Sequence, residues 1–219
     1  MSTSRTVSCA IHVHAEGAWA DPRRIVEVAR EAEDAGWDGV FVSDHLGARG
    51  PEGALPVADC WVALAAVAAA TRRVRIGPMV AALPRYRPWH VALQAATLDQ
   101  LSNGRLILGV GSGTREAASF APFGEEQDLR QVVAYVQEQR RAPVSGSAPE
   151  ERSDPPGGAS SDIFDVVIGG RLPDDPERAA ATLASYAEAG LTWWVEGILD
   201  AFGPPDALRH RVRRGPPRL

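Results

Sequence analysis

Five histidines and no lysine bound the chemistry open to this chain, in which all 23 basic residues are arginine. His45 follows Asp44 at the end of the apolar run Gly39-Val40-Phe41-Val42-Ser43. That run predicts a strand, and the carboxyl ends of parallel strands are where α/β folds gather reacting groups. An imidazole there could donate a hydrogen bond or a proton. Neighbouring strand residues point to opposite faces, so Asp44 is not expected to orient His45. His12 and His14 form His-x-His on an earlier predicted strand, and a period of two puts both on one face. They are candidates to line a pocket. With a carboxylate such as Glu196 they could instead hold zinc, as such a pair does in amidohydrolase barrels. The inventory argues against that minor reading: His90 falls on a predicted helix, His210 lies near the last residue of the sequence, and no lysine exists to bridge two metals. No metal is expected.

Three glycines, Gly109, Gly111 and Gly113, close the apolar run Leu106–Val110. They let the backbone approach a ligand closely, or simply turn. Trp194 and Glu196 share a face of another predicted strand under period two, and both are candidates for the pocket wall or for a structural cap on the barrel floor. Arg85 and Arg87 flank the mouth after the third strand, where they could meet an anionic tail.

The elements that must position these residues alternate. Val7–Val13 reads as a strand. Asp21-Pro22 starts a helix, with Asp21 as its cap and Ile25, Val28, Ala29 and Ala32 as its inner face. Gly39–Ser43 is the second strand, followed by a Gly- and Pro-rich loop to Pro56 and an alanine-rich helix over 57–71. Val74–Val80 is the third strand. Pro88 opens a helix with Val91, Ala95, Leu98 and Leu101 on one face, and Ser102-Asn103-Gly104 stops it. Leu106–Val110 is the fourth strand. A helix over 127–141 precedes a Pro-, Gly- and Ser-rich stretch, 142–162, that reads as a flexible linker within a single domain. Phe164–Gly170 and Leu191–Val195 are further strands, separated by a helix over 176–189, and a last helix covers about 206–213. This order implies right-handed crossovers and a parallel sheet. About six strand–helix units point to an incomplete TIM-barrel-like (β/α)8 fold, which typically takes about 250 residues. The competing architecture, an open doubly wound sheet, lacks its fingerprint: Gly109-x-Gly111 would need a glycine at 114, where threonine stands.

With 219 residues, 45% of them hydrophobic, and a formal charge of −5, the chain can bury one sizeable core and shows no basic stripe for nucleic acid. No run approaches the ~20 apolar residues of a membrane span, and no signal core opens the sequence. A cytoplasmic protein is expected, with Cys9 and Cys60 as small buried groups rather than a disulfide.

The stretch LDQLSNGRLILGVGSG, preceded by RYRPWHVA, resembles the luciferase-like flavin-dependent oxidoreductases. AREAEDAGWDGVFVSDHL, VRIGPMV, the FGEE loop, YAEAGLTWWVEG and the closing GPPR follow in that family's order. The resemblance implies a barrel of the bacterial luciferase type and an oxidoreductase or monooxygenase that uses FMN or F420 on a small organic substrate; a homodimer is expected, since dimerisation could cover the edges and apolar surface that a break in the barrel wall exposes. The resemblance also implies that His45 faces the cofactor ring and acts as the catalytic residue, that Met79 and Val80 back the ring, and that Gly109, Gly111 and Gly113 approach it. Relative to the family, about two central strand–helix units are missing after FGEE, including the usual phosphate-holding turn, for which Gly169 and Gly170 are the substitute candidates. That loss supports an alternative: a catalytically inactive barrel remnant that binds flavin or serves as a partner subunit.

Overall fold

The computed structural model describes residues 7–50, 53–111, 167–189, 191–197 and 205–217. In chain order these form strand β1 (Ser8–Val13), helix α1 (Pro22–Asp34), β2 (Gly39–Val42), the hairpin β3 (Ala48–Gly50) and β4 (Gly53–Leu55), α2 (Cys60–Ala70), β5 (Arg75–Pro78), β6 (Ala81–Ala82), α3 (Pro88–Leu101), β7 (Val110–Gly111), β8 (Val167–Gly170), α4 (Pro176–Glu188), β9 (Trp193–Gly197) and α5 (Pro205–Arg213). The expected helix over 127–141, the 142–162 linker and Gly113 lie outside the described residues.

Local chemistry sets the helix starts. The Asp21 carboxylate accepts from Arg23 N at 3.0 Å, and Pro22 occupies the first turn, where no N–H partner is needed. Asp59 caps α2 by accepting from Val62 N at 2.8 Å. That helix therefore begins three residues later than its apolar pattern predicts, and Val57 instead forms a bridge with Glu16. Asp175 caps α4 in the same way through Arg178 N. Helix α3 ends as predicted, with Asn103 at φ 56° and Gly104 at φ 78°. Its inner face is narrower than the pattern suggests: Val91 and Leu98 are buried, but Leu101 is 48% exposed. The loop expected up to Pro56 contains the β3–β4 hairpin.

The sheet order β5-β2-β1-β9-β8 is parallel throughout. The chain from Leu106 to Gly111 runs beside β5 and β6, through a bridge between Ile76 and Leu106 and the β6–β7 pairing. This order separates the two candidate architectures. In a doubly wound sheet the fourth strand returns to lie beside the first. Here it lies beside the third, and the last strand takes the place next to β1, as it does around a barrel. All five helices contribute to one core cluster on one sheet face, through residues such as Ile25, Leu64, Val91, Leu183 and Val212 packed on Cys9, Ile11, Val13, Val40 and Trp194. Among the described residues, the opposite face carries no helix. Ala10, Phe41 and Val195 are buried there, with Met79, Ile107 and Trp193 against them. A parallel sheet with helices on one face only is an arc of a barrel wall, and no closed barrel forms among the described residues.

Both cysteines are free and buried. Among the described residues, no helix is long and apolar enough to cross a membrane.

Candidate active site

The carboxyl ends of β1 and β2 lie side by side, because Val13 pairs with Val42 in a parallel register. The residues that follow, His14 to Glu16 and Ser43 to His45, therefore share one rim. The Nδ1 of His45 is hydrogen-bonded to Oε1 of Glu16. His14 Nδ1 lies 3.8 Å from the same oxygen. Ser43 Oγ donates to it at 3.4 Å while accepting from Ala15 N at 2.9 Å. Glu16 is 5% exposed. Burial alone would raise its pKa, but the neighbouring His14 and the hydrogen bond from His45 hold it down at about 2. The same bond to Glu16 raises the pKa of His45 against the opposing effect of burial. His45 remains partly exposed, with Nε2 unpartnered among the described residues.

His12 and His14 lie together as their spacing predicts, with ring centroids 4.6 Å apart. His12 lies deeper. Burial, then the neighbouring His14 and His45, push its pKa down to about 3, and its Nε2 is buried with no hydrogen-bond partner among the described residues. It is a neutral imidazole presenting an unused polar atom.

Asp44 is committed elsewhere, as the strand alternation predicts. It accepts from Ala82 N at 3.2 Å and from the Tyr86 hydroxyl at 2.9 Å, and pairs with Arg85 Nη2 at 2.8 Å. Arg85 also donates to the Asp44 backbone carbonyl. Arg85 is therefore a buried partner of Asp44 and is unavailable to an anionic tail. Tyr86 in turn accepts from Trp61 Nε1 at 3.1 Å, and burial beside the Asp44 carboxylate raises its pKa.

Several expected site residues take other places. Trp194 and Glu196 pair with Cys9 and Ile11, on the helix-covered face, so they do not line a pocket with His12. Glu196 accepts from Trp194 Nε1 at 2.9 Å and from Leu172 N at 3.3 Å, and lies 3.4 Å from Arg211 Nε. Period two fixes only which residues share a side, and not which side is covered. Gly170 also faces the helices: a Cβ there would stand 2.8 Å from the Trp194 ring, so its role is to admit that ring. Gly169 sits at the level of Val195 on the helix-free face. Gly109 is required by the sheet, since a Cβ would meet the Pro78 carbonyl oxygen at 2.5 Å. Gly111 ends β7, half-buried. Met79 packs on the helix-free face, and Val80, 38% exposed, follows it across a cis peptide bond.

The profile of the family described as luciferase-like monooxygenase matches residues 3–141, more than half of the chain. The chain belongs to the luciferase-like monooxygenase family. An F420-dependent glucose-6-phosphate dehydrogenase from Amycolatopsis mediterranei is 50% identical over 94 residues, covering 42% of this chain and 28% of that protein. A putative coenzyme F420-dependent oxidoreductase from Mycobacterium tuberculosis is 32% identical over 145 residues, covering 62% and 39%. The chain thus spans about a third of the length of the curated relatives it matches. Among solved structures, an F420-dependent secondary alcohol dehydrogenase aligns with a TM-score of 0.54 at 24% identity, covering 80% of this chain and 55% of that one. The oxygenating component of 3,6-diketocamphane monooxygenase from Pseudomonas putida, in complex with FMN, aligns with a TM-score of 0.51 at 18% identity, covering 98% and 65%. At these identities the structural likeness establishes the luciferase-like barrel fold.

Within that luciferase-like arc, the rim residue that sequence reasoning missed is Glu16. Its signal was present in the pattern His12-x-His14-x-Glu16, which continues the period-two face past the end of β1. The strand's end concealed it, because alternation is not guaranteed in a loop.

Proposed function

We propose that the chain is an oxidoreductase that uses F420, transferring hydride to or from a small organic substrate at the rim formed by β1 and β2. The observation that carries this reading is the Glu16–His45 pair at the carboxyl ends of adjacent strands, on a rim bordering the helix-free face. Family membership supports oxidoreductase chemistry, and the matched relatives named as F420-dependent favour F420 over FMN.

The residues present suit the ring end of such a cofactor. Phe41, Met79, Ile107 and Trp193 form an apolar floor, and the exposed Val80 and Val110 stand at strand ends. The unpartnered Nε2 of His12 offers a polar contact below them. F420, when bound, supplies or accepts the hydride. Glu16 fixes His45 through Nδ1, which leaves Nε2 to hold a hydrogen bond or a proton against the substrate oxygen. The apolar floor excludes water from that contact. Gly169 borders the same face, and Gly111 and Gly113 belong to this reading by sequence alone.

A second reading takes FMN as the cofactor and monooxygenation as the reaction, supported by the FMN-bound structural neighbour. A homodimer belongs to the proposal as well: the outer sides of α2 and α3 carry exposed apolar side chains, with Val62 65%, Leu93 64% and Trp89 58% exposed.

The test is equilibrium binding of F420 and of FMN to the purified chain, followed by fluorescence with EDTA present. Micromolar binding of F420, weakened by His45→Ala, supports the proposal, and the same result with FMN supports the second reading. A folded chain that binds neither is a non-catalytic barrel remnant.

A further inference from the structure

We propose that His14, Glu16 and His45 form a binding site for one divalent transition-metal ion of the zinc class. The inference goes beyond the F420 reading and does not rest on it. One ligand atom from each of the three side chains lies within 4.8 Å of the others. Two imidazoles and one carboxylate are a donor set that suits zinc, cobalt or nickel, and the nitrogen donors disfavour calcium and magnesium. Zinc takes such ligands at about 2.0–2.2 Å, so donors on one ion stand no more than about 4 Å apart. The side chains of His14 and His45 are 22% and 39% exposed, so both rings have room to turn toward a shared ion.

Three further observations point to a cation here. The Glu16 carboxylate is buried, and its side-chain partners among the described residues are His14, His45 and the Ser43 hydroxyl, with no arginine. A buried anion without a fixed cation favours whatever positive charge can reach it. The Ser43 hydroxyl, held in turn by Ala15 N, orients the carboxylate as an outer-shell group orients a metal ligand. His14 and Glu16 leave β1 and His45 leaves β2, so two paired strands fix the backbone beneath the donors. Three protein ligands with partly exposed imidazoles leave a position open for water or an oxygen ligand. An ion there occupies the nitrogen of His45 that Glu16 otherwise holds.

The test is isothermal titration calorimetry of zinc chloride into the full chain after EDTA stripping. Cobalt absorption spectra report coordination, and circular dichroism monitors the fold. The expected result is one equivalent bound with a Kd of about 1 µM or tighter. His14→Ala and Glu16→Gln should each weaken binding at least about tenfold. His90→Ala, on exposed helix surface, should leave it unchanged. No stoichiometric binding by the folded chain, or binding undiminished in His14→Ala, overturns the proposal. His14 is partly exposed, so its variant decides even where Glu16→Gln fails to fold. Because F420 binding is measured in EDTA, either result there leaves this one standing.

Discussion

The Nε1 of Trp194 donates to Oε2 of Glu196, two residues along the same strand, at 2.9 Å. This bond joins two side chains on the helix-covered face of β9, and it turns Glu196 from a pocket candidate into an anchor. The carboxylate also receives the Leu172 amide and the Arg211 guanidinium, so one buried anion ties β9 to the segment after β8 and to α5. The Tyr186 ring of α4 stacks on Trp194, at 5.7 Å between centroids, and closes the same cluster.

Glu196→Ala should therefore unfold the chain more readily without altering the rim. Removing the carboxylate strands an indole N–H, an amide and a guanidinium in a buried setting. Breaking a buried charged network of this kind costs about 3–5 kcal/mol. Urea titration followed by tryptophan fluorescence should show a midpoint well below that of the parent chain, and an unchanged midpoint would exclude the anchoring role.

The Asp44–Arg85 pair gives a second prediction. Both side chains are 6% exposed, and Arg85 grips the carboxylate and the backbone carbonyl of the residue before His45. Arg85→Met leaves a buried carboxylate supported only by Tyr86 and an amide, at a cost of about 3 kcal/mol. Adding Asp44→Asn should recover part of that loss, because the unpaired charge disappears. A double-mutant cycle in urea measures the coupling, and two effects that simply add would show the pair to be inert.

Much of this arrangement was legible in the sequence. Asp21-Pro22, Ser102-Asn103-Gly104 and the apolar run at 39–43 each carry their local structure in their own chemistry, and their order predicts the parallel alternation. His12, His14 and His45 came together because strand ends in parallel sheets converge on one rim. The rest depends on partners distant in sequence. Nothing near Glu196 says that helices cover its side of the sheet. Nothing near Gly109 says that the Pro78 carbonyl will press on it. Nothing near Arg85, a candidate for an anionic tail by its place before a helix, says that Asp44 will lie beneath it.

Acid should loosen the clasp between α1 and α5. Arg209 bonds Glu31 through Nε at 3.1 Å, and Arg213 reaches the same carboxylate at 2.7 Å. The Arg209 hydrogen bond, seconded by Arg213, lowers the Glu31 pKa against the effect of burial. A carboxylate whose folded pKa is lowered contributes stability above its unfolded value of about 4.3, and loses it as pH falls through the folded value. Thermal melts between about pH 6 and pH 3 should thus show a steeper fall in Tm for the parent chain than for Glu31→Gln. Parallel curves would remove Glu31 from the account.

The outer side of α2 and α3 carries the last prediction. Helix α1 is amphipathic in the ordinary way, with Ile25, Val28, Ala29 and Ala32 inward and charged residues such as Arg23, Arg24, Glu27 and Arg30 outward. Helix α2 reads Cys-Trp-Val-Ala-Leu-Ala-Ala-Val-Ala-Ala-Ala, apolar on every side, and α3 adds Trp89, Leu93 and Leu101 to the same exposed region. A helix that is apolar all round belongs in an interior, so this surface should be covered by a second copy of the chain. Each buried leucine or valine side chain contributes about 1.5–3 kcal/mol to such an interface, and a carboxylate placed among them removes that gain and adds a desolvation cost. Light scattering on an eluting sample should give twice the 23.3 kDa of one chain for the parent. Leu93→Glu should bring the mass to that of one chain while circular dichroism stays unchanged, since Leu93 is 64% exposed. A parent chain that elutes as a monomer, or a Leu93→Glu variant that remains a dimer, moves the interface away from α2 and α3.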